Sequence, residues 1–218
     1  MRSRRPWLRR ASVTAVSAAA LVALATPAQA TAPAAPAAPT AAVTATAATA
    51  TAAADVDYDT WQRDCQEVMD QALPYLKQRI DNTRPGEKQA LVLDIDNTAL
   101  ETDFGFSFPQ PANRPVLEVA QYAEERGVDL FFVTARPGII WAPTAFNLDH
   151  AGYESSGLHV RGFLDLFKNV ADYKTAQRVA IEAKGYTIIA NIGNSATDLS
   201  GGHAEKTFKL PDYGGQLS

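Results

Sequence analysis

The chain has 218 residues, with 20 Lys and Arg against 24 Asp and Glu and a formal net charge of −4. Five arginines and no acid fall in the first thirty residues, so the remainder carries −9, which argues against a nucleic-acid polymer or an anionic membrane surface as the main partner. Cys65 is the only cysteine, which excludes an internal disulfide and leaves stability to a buried core.

In chain order, Arg2, Arg4, Arg5, Arg9 and Arg10 form a positive segment, residues 13–24 are mostly apolar, and Ala28-Gln29-Ala30 is a small-residue cleavage signal. This order predicts a secretory signal peptide over 1–30, cut after Ala30 and exported by the general rather than the twin-arginine route. The domain is then expected outside the cell or in its envelope, with no stable membrane insertion after cleavage. The apolar run is short for a transmembrane helix, and an uncleaved anchor is the alternative. Residues 31–54 hold only Ala, Thr and Pro with one Val, which predicts a disordered linker because such a segment cannot bury enough surface to order itself.

The folded domain is expected over 55–218. Between 55 and 80, Tyr58, Trp61, Cys65, Val68, Met69, Ala72, Leu76 and Ile80 recur every three or four residues, the mark of an amphipathic helix. Pro74 should kink or split it. Cys65 lies on the apolar stripe and reads as a packed thiol. After a turn at Thr83-Arg84-Pro85-Gly86, the run Ala90 to Leu93 reads as a buried, parallel strand that ends in two carboxylates, Asp94 and Asp96. Reactive groups in parallel sheets sit at the carboxyl ends of strands, and two acids so placed suit a nucleophile, an acid–base partner and a cation.

Phe104, Phe106 and Phe108 then alternate around Gly105. Either they cover the core beside the site, or Phe104 and Phe106 form an aromatic lid that stacks on a substrate ring. A helix over 115–126 follows, and then the apolar run 130–133 ends in Thr134 and Arg136. Strand, helix and strand at this spacing imply a right-handed βαβ unit. Thr134 therefore ends near Asp94, with its hydroxyl able to donate to a substrate oxygen or to cap a helix, and Arg136 able to bind anionic or polar substrate groups. Residues 140–152 suggest a helix and 157–163 a short strand, while His150 and His159 have no partner at metal-ligand spacing. Residues 171–183 form a well-marked helix with Ala176, Val179, Ala180 and Ala183 on one face, capped by Asn169 or Asp172. Lys174 stands in its first turn, where a cation opposes the helix dipole. A third buried strand over 186–191 leads to Gly193, Asn194 and Asp198, and a last strand is expected at 208–211.

Leu93-Asp94-Ile95-Asp96-Asn97-Thr98 resembles motif I of the haloacid dehalogenase (HAD) superfamily. Thr134-Ala135-Arg136 resembles its motif II and Tyr173-Lys174 its motif III. The stretch from Gly193 to Asp198 resembles motif IV, with Asn194 where the family commonly has an acid. With the ending Thr207-Phe208-Lys209-Leu210-Pro211, the chain looks like the secreted acid phosphatases of bacterial class B and C and of the plant vegetative-storage-protein type. The resemblance implies an α/β fold, a three-layer α/β/α sandwich around a parallel Rossmann-like sheet with a minimal cap. It implies a secreted Mg²⁺-dependent phosphomonoesterase acting on small organic phosphates, nucleoside monophosphates among them. Asp94 would be the nucleophile and Asp96 the general acid and base, with Thr134 and Lys174 as catalytic partners, Lys168 being the second candidate for the lysine. Asp94, Asp96, Asn194 and Asp198 would hold the metal. The change to Asn194 leaves two alternatives open, a catalytically weak storage or phosphate-binding protein and a phosphotransferase.

Overall fold

The computed structural model describes residues 56–105 and 107–217. The signal peptide expected over 1–30, the linker over 31–54, Asp55 and Phe106 lie outside the described residues.

Helix α1, Tyr58–Asp81, starts at Asp57, whose side chain accepts from the Thr60 N–H at 2.8 Å. It buries Trp61, Cys65, Met69, Ala72, Leu76 and Ile80, the stripe expected from the spacing. Pro74 does not split it. Pro74 and Asp70 are both exposed, so the carbonyl that proline leaves without a partner lies on the wet face, where water satisfies it. The Cys65 thiol is pushed up to about 12 by burial, as fits a packing role.

Five strands form one all-parallel sheet in the order β3-β2-β1-β4-β5: β1 Lys88–Leu93, β2 Asp129–Pro137, β3 Ser155–Arg161, β4 Tyr186–Gly193 and β5 Thr207–Lys209. Helices α2 (Arg114–Glu124), α3 (Trp141–His150) and α4 (Val170–Glu182) connect the first four strands, and a short α5 (Ala196–Leu199) follows β4. Side chains alternate along β1 and so build two cores. Leu91 and Leu93 pack with Trp61, Met69, Val116, Val119 and Leu148 of α1, α2 and α3. Ala90 and Val92 pack with Phe131, Val133 and Ile188, and with Tyr173 and Ile181 of α4. The result is the expected three-layer α/β/α sandwich. The connection from β1 to α2 is a loop pinned by an isolated bridge between Leu100 and Ala112. Among the described residues, no helix is long and apolar enough to cross a membrane.

Helix α4 corrects the expectation from apolar periodicity. Its buried residues are Tyr173, Lys174, Arg178 and Ile181, whereas Ala176, Val179 and Ala183 face solvent. Ion pairing at the end of the sheet turns the helix, as the site below makes plain.

The entry to β1 is held by Arg79, which lies 2.5 Å from Glu87 and 2.6 Å from Glu205. Arg79, and after it the Arg84 N–H, pull the Glu87 carboxyl down to about 2. Glu87→Gln should cost about 2 kcal/mol of stability near neutral pH, the worth of hydrogen bonds to a charged group. Because the folded chain favours the ionised acid, that contribution is complete above the ordinary glutamate range and fades as pH falls toward 2. Urea unfolding of both proteins at neutral pH and in acid checks the prediction: the gap should close in acid.

Candidate active site

The chain runs from β1 to β2 and β3 on one side, then returns on the other side as β4 and β5. The reversal opens a crevice at the carboxyl ends of β1 and β4. Asp94 follows β1 directly and Asn194 follows β4. The Asp94 N–H donates to the Ile192 carbonyl at 3.0 Å, which extends the strand pairing into the site. Asn97 turns the chain at φ 52°, a conformation asparagine tolerates, and its amide exchanges two hydrogen bonds with Asp103. Thr98 accepts from the Asn194 N–H at 3.0 Å and donates to Asn194 Oδ1 at 3.3 Å, tying the two loops together.

Lys174, the fifth residue of α4, reaches into this crevice. Its Nζ lies 2.6 Å from Asp94 Oδ1 and 2.5 Å from Asp198 Oδ1, and all three residues are buried. Burial pushes the Asp94 carboxyl up, while the ammonium of Lys174 opposes that rise and favours the ionised acid. The same two carboxylates hold the lysine protonated against its own desolvation. This pairing, and not apolarity, sets the buried face of α4. Lys168 instead pairs with Asp165 at the surface, at 2.7 Å.

Asp198 is placed by its neighbours. Its Oδ2 accepts from the Ser195 N–H at 2.8 Å, and its carbonyl accepts from Asn191 Nδ2 at 2.9 Å and Arg178 Nη1 at 2.7 Å. Arg178 is itself buried, and it also donates to the carbonyls of Ser200 and Gly202. Sequence reasoning missed it as a functional residue. The available signal was its position four residues after Lys174, on the same helix face. Gly193 is required by close approach, since a Cβ there would collide with the Asp198 Cβ.

Asp96 faces the other side of the pocket. Arg136 donates Nε to both of its oxygens at 3.1 Å and Nη2 to Oδ1 at 2.7 Å, and Thr102 adds a hydroxyl at 3.0 Å. Gln110 and Thr144 take further N–H groups of Arg136, and Asn147 fastens Gln110 by its backbone. The Asp96 carboxylate meets a guanidinium fork, and Arg136 divides its N–H groups among Asp96, Gln110 and Thr144. Thr134 is fully buried, and its hydroxyl accepts from the Arg136 N–H at 3.1 Å within the last residues of β2.

Phe104 does not form a lid. It stacks on Trp61 with centroids 4.3 Å apart and meets Tyr58 edge-on at 5.4 Å, so the core-covering reading holds for this ring. Phe106, its expected partner, lies outside the described residues.

The groups enclose a pocket of about 410 Å³ lined by Asp94, Asp96, Arg136, Lys174, Asn194 and Asp198, among others. A larger cavity of about 750 Å³ lies by the starts of β2 and β3, away from these groups. No three His, Cys, Asp or Glu side chains among the described residues gather as a metal site. Asp94 and Asp198 with the Asn194 amide oxygen nevertheless make an all-oxygen donor set, and two acids against one lysine leave a negative charge. That chemistry fits a hard divalent cation, with one charge fewer than three carboxylates would give. The Asn194 Nδ2 donates to the Leu217 carbonyl at 2.7 Å, a bond an aspartate could not make.

The model of the HAD superfamily, subfamily IIIB (acid phosphatase), matches residues 12–110 and 107–216. The Stem 28 kDa glycoprotein of Glycine max is 37% identical over 90 residues, covering 39% of this chain and 35% of that protein. Acid phosphatase 1 of Solanum lycopersicum is 32% identical over 104 residues, covering 47% of this chain and 41% of that protein. The chain thus spans well under half the length of the curated relatives it matches. The class C acid phosphatase from Bacillus anthracis superposes with a TM-score of 0.57 at 16% identity, over 72% of this chain and 80% of that one, a likeness of fold. With the family model matched along nearly all of the folded part, this chain belongs to the HAD superfamily, subfamily IIIB, the acid phosphatases.

Proposed function

We propose that the chain is an exported phosphomonoesterase that works through an aspartyl-phosphate on Asp94 and acts on small organic phosphates. The observation that carries this reading is the buried Asp94–Lys174–Asp198 cluster at the floor of a pocket whose wall presents Asp96. An ionised carboxylate held by an ammonium is oriented for attack. The Asp94 oxygen bonds to phosphorus as the ester oxygen departs, and that oxygen takes a proton from Asp96. Asp96 then removes a proton from water, whose oxygen attacks phosphorus and returns the Asp94 carboxylate with release of phosphate. Lys174 has three N–H groups and gives two to carboxylates, so the third is available to a phosphoryl oxygen. Arg136 and Thr102 keep Asp96 aimed. Asp94, Asn194 and Asp198 would hold Mg²⁺, which supplies neutralisation of phosphoryl charge when bound. The positive, apolar and small-residue order of 1–30 supports export of 31–218.

Asn194 favours a second reading, phosphate binding with weak turnover. The deciding experiment is p-nitrophenyl phosphate hydrolysis by residues 31–218 across pH, with Mg²⁺ and with EDTA, beside Asn194→Asp. Metal-dependent turnover in the wild type supports the phosphatase. An inert wild type that gains turnover in Asn194→Asp supports the binding protein. The variant should tighten Mg²⁺ by about ten-fold, and lose the bond to Leu217, which calorimetric titration and thermal unfolding would read.

A further inference from the structure

The edge of the sheet that carries the charged pocket also carries an apolar strip. Past Arg136 the chain leaves β2 through Gly138 into Ile139 and Ile140. Past β3 a 3-10 turn, Phe163–Phe167, leads to Val170 of α4, which lines the pocket. The two segments lie side by side: Pro137 registers with Arg161, and a Cβ on Gly138 would sit 3.4 Å from the Arg161 carbonyl. The turn is built, since Arg161 Nη2 donates to the carbonyls of Asp165 at 2.6 Å and Lys168 at 2.7 Å. It presents large apolar side chains to water: Ile139 is 90% exposed, Phe163 76%, Leu164 74% and Phe167 78%. A strip of this kind next to a ligand pocket marks a binding surface.

We propose that this strip is the leaving-group subsite and takes the alkyl chain of an amphiphilic phosphomonoester whose phosphate sits in the pocket. The assignment rests on the phosphatase reading above. The pocket floor is occupied by Lys174 and its carboxylates, so whatever lies beyond the ester oxygen must leave over the rim. Towards Gln110 and Arg136 that rim is polar and already hydrogen-bonded. Towards Val170 it leads, three residues back along the chain, to Phe167 of the strip. Phe163 and Phe167 meet at 81° with centroids 5.7 Å apart, which leaves no parallel slot to clamp a flat ring but gives a surface an alkyl chain can follow.

The test is kcat/KM for ethyl, butyl and hexyl phosphate, in the wild type and in a variant combining Ile139→Ser with Phe163→Ser. The wild type should rise about ten-fold from ethyl to hexyl, and the variant should bring the hexyl-to-ethyl ratio near one. A flat series in the wild type, or an unchanged rise in the variant, overturns the assignment. Calorimetric binding of ethylphosphonate and hexylphosphonate, whose carbon–phosphorus bond resists hydrolysis, reads the strip without turnover. A chain-length gradient that the variant abolishes supports the subsite even if no ester is cleaved, in which case only the phosphatase reading fails. Absence of a gradient in the wild type overturns the subsite. Sedimentation that shows a wild-type dimer converted to monomer by the variant gives the strip to a second copy and also overturns it.

Discussion

Asp94→Asn should lower p-nitrophenyl phosphate turnover by about 10⁴-fold or more, with the fold intact. The amide keeps the volume and a hydrogen-bonding oxygen but cannot attack phosphorus, and loss of a nucleophile is among the costliest single changes an active site can suffer. Stability should move little, within about 1 kcal/mol, because two effects oppose each other. Burial disfavours the ionised acid, so neutralising it relieves a desolvation cost, while Lys174 loses one of its two carboxylates and retains Asp198. Asp96→Asn should behave differently. It leaves the nucleophile in place and removes the proton donor, so the rate should depend steeply on the acidity of the leaving alcohol. p-Nitrophenol, a good leaving group, should lose the least. Rapid quench in acid after mixing with labelled substrate reads the intermediate directly: label on protein in the wild type and none in Asp94→Asn. Equal rates in wild type and Asp94→Asn would end the aspartyl-phosphate reading.

The fold was legible because its signals are local. Apolar runs at 90–93, 130–133 and 186–191, each ending in a polar residue, are what a parallel sheet buried on both faces requires. Asp94, Lys174 and Asp198 converge because each stands at a strand end or near the start of a helix on one edge of that sheet. Contacts made across the chain left no such mark. Arg178 looks in the sequence like a solvated helical arginine. Its partners are the backbone carbonyls of residues 198, 200 and 202, and carbonyls carry no side-chain signature. Asp96 and Arg136 were both expected in the pocket, but that each would satisfy the other depends on a spacing set by the loop that brings Gln110 and Thr102 alongside. The face of α4 was misread for an energetic reason. An Ala and Val stripe gains little from burial, whereas two buried carboxylates without a cation would cost several kcal/mol, so the lysine side turns inward.

The cost of two unpaired buried carboxylates makes Lys174 the other residue whose loss should be severe. Lys174→Met keeps the length of the side chain and removes its charge, leaving Asp94 and Asp198 buried without a counter-ion. Breaking a buried pair from one side costs about 3–5 kcal/mol, so the variant should unfold at markedly lower urea, and turnover should fall by about 10³-fold as the phosphoryl charge loses its ammonium. The deficit should shrink in mildly acid solution, where Asp94, already pushed up by burial and now without the lysine that opposed the rise, takes a proton and ceases to be an unpaired charge. Adding Asp198→Asn to Lys174→Met separates structure from chemistry. The double variant removes a second charge from the same space, so unfolding should recover by about half of the loss. Turnover should not recover and should stay below that of Asp198→Asn alone, the reference for the lost cation ligand, since the ammonium is still missing. If turnover returns together with stability, Lys174 only holds the carboxylates apart. If stability returns and turnover stays well below that of Asp198→Asn alone, Lys174 acts on the phosphoryl group, and the orientation of α4 reflects the chemistry of the pocket.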